Sequence, residues 1–167
     1  MKGKIIESYW NGAFENSALM NYITEKDERA LENLVNIQIA EGEPDTVSLK
    51  FTFKPNPYFV ETTAVRRLRF AQGQVVCLEG EVMTPKAGNW LTHECKKVTN
   101  KGNGQTKNVQ GKKIDSFFDI FLNLTAVDHP KELAKCADIM QELVSVVRDS
   151  LSYFLGLFEL NESEEDL

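Results

Sequence analysis

Three phenylalanines and two isoleucines crowd into the eight positions from Ile114 to Phe121, with two aspartates set among them. A run this apolar must be buried. At helical spacing Phe117 and Phe121 share one face and Phe118 lies beside it, so all three rings are expected to build a core rather than to bind a ligand. The charge around the run is lopsided. From Lys96 to Lys113 there are six lysines and no acid, whereas from Lys131 to the C-terminus nine acids face three bases. An aromatic plug thus joins a cationic loop to an anionic end. That polarity suits the holding of a charged partner better than it suits catalysis.

The length of 167 residues fits one domain with a core of useful size. A net charge of -6 argues against nucleic acid as the main partner and permits a basic one. Cys77, Cys95 and Cys136 make an odd count with no CxxC spacing, which fits reduced thiols inside the cell. The first residues lack the apolar run of a signal peptide. Nowhere do about 18 apolar residues run unbroken, so no membrane-spanning helix is expected.

Periodicity divides the chain into helices, then strands, then a helix. Ile6, Tyr9, Trp10, Ala13 and Phe14 give one apolar face of a first helix. A second starts at Thr24, whose hydroxyl can cap it, with Asp27 placed for a capping box. Leu31, Leu34 and Val35 are its expected buried stripe. The period then changes to two. Val35, Ile37 and Ile39 form one strand, and Val47, Leu49, Phe51 and Phe53 a second, with Gly42 to Asp45 turning between them. Pro55-Asn56-Pro57 ends the second strand. Two more strands run from Val65 to Phe70 and from Val75 to Met83 around Gln72-Gly73. Short connections make the four antiparallel. Lys101-Gly102-Asn103-Gly104 has the composition of a hairpin tip, with short, polar, mobile arms. Pro130 fits the first position of a last helix capped by Asp128 or His129, whose apolar positions run from Leu133 through Val147 to Leu151 and Phe154.

Chemistry is hard to find. His93-Glu94-Cys95 could supply metal ligands, but no second cluster completes a site. His129 beside Pro130 reads as a helix cap. No nucleophile elbow, phosphate loop or dinucleotide fingerprint occurs, and no carboxylate pair is marked out as acid and base. No active site or metal site is marked out by these residues, although catalytic groups can converge from distant positions. Arg66, Arg67 and Arg69 lie on one strand and alternate between its faces, as on an edge strand guarded by charge. Leu68 and Phe70 would anchor Arg66 to the core.

Five motifs in order resemble one known family. Phe51 to Phe59 resembles its F-x-F-x-x-NPYF strand and turn, and Asp115 to Phe121 its ESFFNFF. Ile23 to Leu31 resembles ITERDEEAL. Lys96-Lys97 and Lys101 to Thr106 resemble a basic hairpin, and Ser152 to Gly156 with the acids beyond it resembles LYFTG and an acidic tail. The chain is thereby similar to the nucleosome assembly proteins, histone chaperones that include the SET-type relatives.

The resemblance implies an α+β fold, an antiparallel four-stranded sheet packed against helices on one face. It implies a domain over residues 1–160 with a basic hairpin at about 96–113, and a short acidic tail at 161–167. The implied function is a histone chaperone that binds core histones, as dimers or tetramers, through acidic surfaces and assists nucleosome assembly and disassembly. The alternative is a regulatory module of the SET type, a phosphatase inhibitor or acetyltransferase cofactor. Candidate histone contacts are Glu25, Asp27, Glu28, Glu32, Glu159, Glu162, Glu164, Glu165 and Asp166. Lys96, Lys97, Lys101, Lys107, Lys112 and Lys113 are the basic hairpin, which in the family can bear an import signal and so suggests shuttling between nucleus and cytoplasm. The resemblance implies a protein that is not an enzyme and takes no cofactor or metal, and no membrane or sequence-specific nucleic acid is expected as a partner. The family dimerises through a long helix that the sequence ahead of Trp10 leaves no room for, so a monomer in dilute solution, or a weak association that varies with concentration, is expected, with Trp10 and Phe14 exposed.

Overall fold

A computed structural model describes residues 9–150, position 41 excepted. In it two short helices, α1 (Tyr9–Glu15) and α2 (Glu25–Leu31), flank a 3-10 turn at Ala18–Asn21. Four strands follow: β1 (Leu34–Ala40), β2 (Thr46–Phe53), β3 (Thr63–Ala71) and β4 (Gln74–Gly80). A separate hairpin pairs β5 (His93–Thr99) with β6 (Thr106–Lys113). The aromatic run is a second 3-10 segment, Phe117–Phe121, ahead of β7 (Leu124–Thr125) and the long helix α3 (Pro130–Arg148).

The main sheet has five strands in the order β1-β2-β3-β4-β7, one more than the sequence suggests, and each adjacent pair is antiparallel. The extra strand is only two residues long, too short to show a period. Between β3 and β4, Gln72 (φ 52°) and Gly73 (φ 77°) take the paired left-handed conformations of a two-residue hairpin turn. At the far end of β4, Gly80 passes so close to Val65 that a Cβ would meet its carbonyl oxygen at 2.2 Å, so no larger residue fits.

The helices lie against one face of the sheet. Leu49, Phe51 and Phe53 of β2 alternate inward, and so do Ala64, Arg66 and Leu68 of β3. From α3, Leu133, Cys136, Ile139, Met140, Leu143 and Val146 meet them. Phe118 sits among Phe53, Phe59, Phe117 and Phe121, with neighbouring ring centroids 5.2–6.5 Å apart through this cluster. The three phenylalanines of the run are thus core residues, as their spacing implies.

Several expectations are corrected. Trp10 and Phe14 are buried, not bare: Phe14 stacks between Trp10 and Phe117, and the Trp10 indole donates to the Val35 carbonyl. Helix α2 ends at Leu31. Leu34 is buried from β1 instead, and an irregularity between Leu34 and Asn36 turns Val35 outward, leaving it half exposed. Strand β3 is not an edge, because it lies between β2 and β4. The hairpin arms are seven and eight residues, longer than expected. His129 occupies the cap position of α3 without a side-chain cap bond, while Pro130 is at the first turn as expected. Ile6 and the positions from Leu151 onward lie outside the described residues.

Two outcomes follow from this packing. Phe118→Ala should lower the unfolding free energy by roughly 3–5 kcal/mol in a urea titration, the usual cost of emptying a buried aromatic site. Deleting Asn100 to Gln105, the tip beyond the last ladder pair Thr99–Thr106, should leave the melting temperature nearly unchanged. A large fall there would show that the tip supports the core.

Candidate interaction surface

The charged residues are held by a buried polar knot. Thr24 and Asp27 form a capping box at the start of α2, and Ser116 and Asp119 form another at the start of the aromatic segment. The two boxes interlock. The Ser116 hydroxyl donates to Asp27 at 2.6 Å, and the Phe117 amide donates to the same carboxylate at 2.9 Å. Asp27 therefore faces inward with no exposed surface. Its place among the expected surface acids is a correction: the N3 acid of a capping box turns back toward its own helix end, and here the aromatic segment closes over it.

Asp119 is equally buried and takes the ammonium groups of Lys113 at 2.7 Å and Lys135 at 2.5 Å. Burial alone would lower the Lys135 pKa, but the hydrogen bond and charge of Asp119 outweigh it and the net shift is upward. The Lys113 ammonium is thus engaged by a buried carboxylate while its side chain stays exposed on the hairpin, so it is not a free charge of the basic surface. The other half of the knot is Arg66, fully buried. Its guanidinium donates to the carbonyls of Ile120 at 2.8 Å, Glu81 at 3.1 Å and Leu122, and to the Asn123 side chain at 3.1 Å. Desolvation pulls its pKa down to about 10, still well above neutrality, so the group is charged. Neither the knot nor Arg66 gave a clear signal in the sequence. The closest was the inward register that Arg66 shares with Leu68.

Around this frame the charges separate. Glu25 and Glu32 are exposed and Glu28 half-buried along α2. Lys96, Lys97, Lys101, Lys107 and Lys112 are exposed on the hairpin, together with the less committed side of Lys113. On the open face of the sheet, Arg67 and Arg69 are paired with Glu43, and Arg69 also with Glu79. Glu159, Glu162, Glu164, Glu165 and Asp166 lie outside the described residues. Among the described residues no cluster of three or more His, Cys, Asp or Glu could hold a metal ion, and no helix is long and apolar enough to cross a membrane. Burial pushes the Cys136 thiol up to about 12, which leaves it inert, whereas Cys95 is exposed on the hairpin.

Comparison with known proteins places this frame. The family model described as nucleosome assembly protein (NAP) matches residues 1–156. Nucleosome assembly protein 1;3 of Nicotiana tabacum is 28% identical over 98% of this chain and 49% of its own length. NAP1-related protein 1 of Oryza sativa subsp. indica is 25% identical over 98% of this chain and 60% of its own. The chain thus spans about half the length of the curated relatives it matches. Nucleosome Assembly Protein 1 from Plasmodium knowlesi superposes with a TM-score of 0.66 at 22% identity, covering 89% of this chain and 67% of that one. With matched residues running from the N-terminus through the aromatic run and α3, the chain belongs to the nucleosome assembly protein family.

Proposed function

We propose that this chain is the histone-binding domain of a chaperone that assists nucleosome assembly and disassembly. Family membership over nearly the whole sequence carries the reading. The surface is consistent with it: Glu25, Glu28 and Glu32 project from a helix whose N-terminal end is fixed by the buried Asp27. Histones are strongly basic. A chaperone has to neutralise them reversibly, and carboxylates on a rigid element can do so by standing in for phosphates. At physiological salt exposed charges are screened beyond about 8 Å, so the contacts must be close and numerous. Such a surface speeds encounter and tolerates several poses.

On this reading no bond is made or broken, and the work is binding alone. Glu159, Glu162, Glu164, Glu165 and Asp166 supply a second acidic contact, with residues 1–160 as the folded unit and 161–167 as its tail. The exposed lysines of the hairpin form the face through which the protein would enter the nucleus and shuttle. Asp27 is left out of the acidic contact set because it is buried, and Lys113 out of the basic set because Asp119 already holds its ammonium.

Pull-down with purified core-histone dimers and tetramers over a salt series tests the proposal. Binding should be clear at low salt and fall as salt rises. Replacing Glu25, Glu28 and Glu32 together by lysine should weaken it about tenfold or more, which corresponds to roughly 1.4 kcal/mol, with an unchanged melting temperature. No binding of the parent even at low salt would remove histones as the partner of this domain.

A further inference from the structure

The sequence holds two Asn-Gly pairs, Asn11-Gly12 and Asn103-Gly104. Before a glycine, an asparagine carboxamide can be reached by the next backbone nitrogen with no β-carbon in the way. The fold treats the two pairs oppositely. Asn11 lies within α1, and its carboxamide nitrogen donates to the Glu28 carbonyl of α2 at 3.1 Å. A ring through the carboxamide and the Gly12 nitrogen cannot close while the backbone stays helical.

Asn103-Gly104 stands at the tip of the β5–β6 hairpin, beyond the last ladder pair Thr99–Thr106. Both residues are exposed. Gly104 takes φ 70°, and nothing lies within 4 Å of the place a Cβ would take. The Asn103 side-chain oxygen accepts the Gln105 amide at 3.0 Å. The ring closed by that bond includes the Gly104 nitrogen, so the carboxamide is already folded back along the amide that would attack it. One bond opposes the reaction: the Gly104 amide donates to the Asn100 carbonyl at 2.8 Å. It lies at an exposed tip, where backbone bonds open most readily. A third asparagine separates the geometry from the glycine. Asn100 makes the same kind of turn, its side-chain oxygen accepting the Gly102 amide at 2.8 Å. It is followed by Lys101, whose β-carbon crowds the attacking nitrogen.

We infer that Asn103 is a self-modifying site, which converts to isoaspartate and aspartate through a succinimide formed with Gly104. The Gly104 nitrogen bonds to Asn103 Cγ, the carboxamide C–N bond breaks, and ammonia leaves with the proton that Gly104 gives up. Water then opens the ring. Attack at Cγ leaves aspartate. Attack at the main-chain carbonyl leaves isoaspartate, with the backbone routed through the former side chain. No oxidant or reductant is consumed. Either product puts a carboxylate between Lys101 and Lys107 in the sequence, within a stretch that from Lys96 to Lys113 has six lysines and no acid. The basic hairpin thus loses charge as the protein ages, with no partner needed. The isoaspartyl form is also the substrate class of methyltransferases that esterify β-linked aspartate. The inference concerns the hairpin alone and does not rest on histone binding.

The test ages the intact folded chain at physiological temperature and mildly alkaline pH, then maps its peptides by mass spectrometry after digestion in acid. Isoaspartate is counted by methyl transfer from labelled S-adenosylmethionine with a protein isoaspartate methyltransferase. Asn103 should convert severalfold faster than Asn11 and Asn100, and the aged chain should shift on an anion exchanger as Asn103→Asp does. In guanidinium chloride Asn11 should rise to the rate of Asn103 while Asn100 stays slow. Gly104→Ala should slow the conversion severalfold. Should that change disturb the tip, Asn103→Gln should abolish the product at this position, and the melting temperature reports whether either variant is folded. Equal rates at Asn11 and Asn103 in the folded chain, equal rates at Asn100 and Asn103, or an Asn103 that stays intact while the unfolded chain converts would each overturn the inference. A rate unchanged in folded Gly104→Ala would overturn the succinimide route.

Discussion

Burying a guanidinium in an apolar core without a carboxylate partner is costly unless its donors are all engaged. Arg66 comes close to that condition: every one of its nitrogens donates, to carbonyls of Ile120, Leu122 and Glu81 and to the Asn123 side chain. A 3-10 segment leaves carbonyls unsatisfied at its C-terminal end, and β3 delivers a five-donor fork to that end. The segment cannot slide along the sheet without orphaning both sides. Phe117, Phe118 and Phe121 are placed as a consequence, and α1 and α3 pack on what they present. Removing either partner would leave a buried charge or buried carbonyls, so the interaction fixes position more than it adds stability.

The Asp27–Ser116 interlock does the same for the helices. It ties α2, early in the chain, to a segment almost ninety residues later. Through Lys113 and Lys135, Asp119 extends the tie to the hairpin and to α3. One buried polar path therefore connects the acid-bearing helix, the base-bearing hairpin and the long helix. The elements that carry the surface charges are thereby mutually fixed.

The parts of this design that repeat were legible in the sequence. Alternation in Val47 to Phe53, the 3.6-residue stripe of Leu133 to Val147 and the Thr24–Asp27 cap each state a local rule, and each stands in the structure. The five-motif resemblance gave the family. What failed to show is what depends on tertiary partners. Asp27 and Glu28 are adjacent acids of one helix, yet one is buried and the other is half-exposed, because Ser116 and Phe117 arrive over Asp27 alone. Arg66 looked like an edge guard because an arginine's hydrophobicity says nothing of carbonyls fifty residues away. Strand β7 is two residues long and carries no period at all.

The outward turn of Val35 has a consequence for the free protein. Strand β1 is the open edge of the main sheet, and an unbroken edge is a template for another strand. The irregularity at Leu34–Asn36 interrupts that row of backbone groups, and the Trp10 indole occupies the Val35 carbonyl, one of its acceptors. At the opposite edge, β7 offers only two residues. The sheet is thus blunted on both sides and resists growing into a larger one by edge pairing, while among the described residues the β5–β6 hairpin stands in a sheet of its own with its outer edges unpaired.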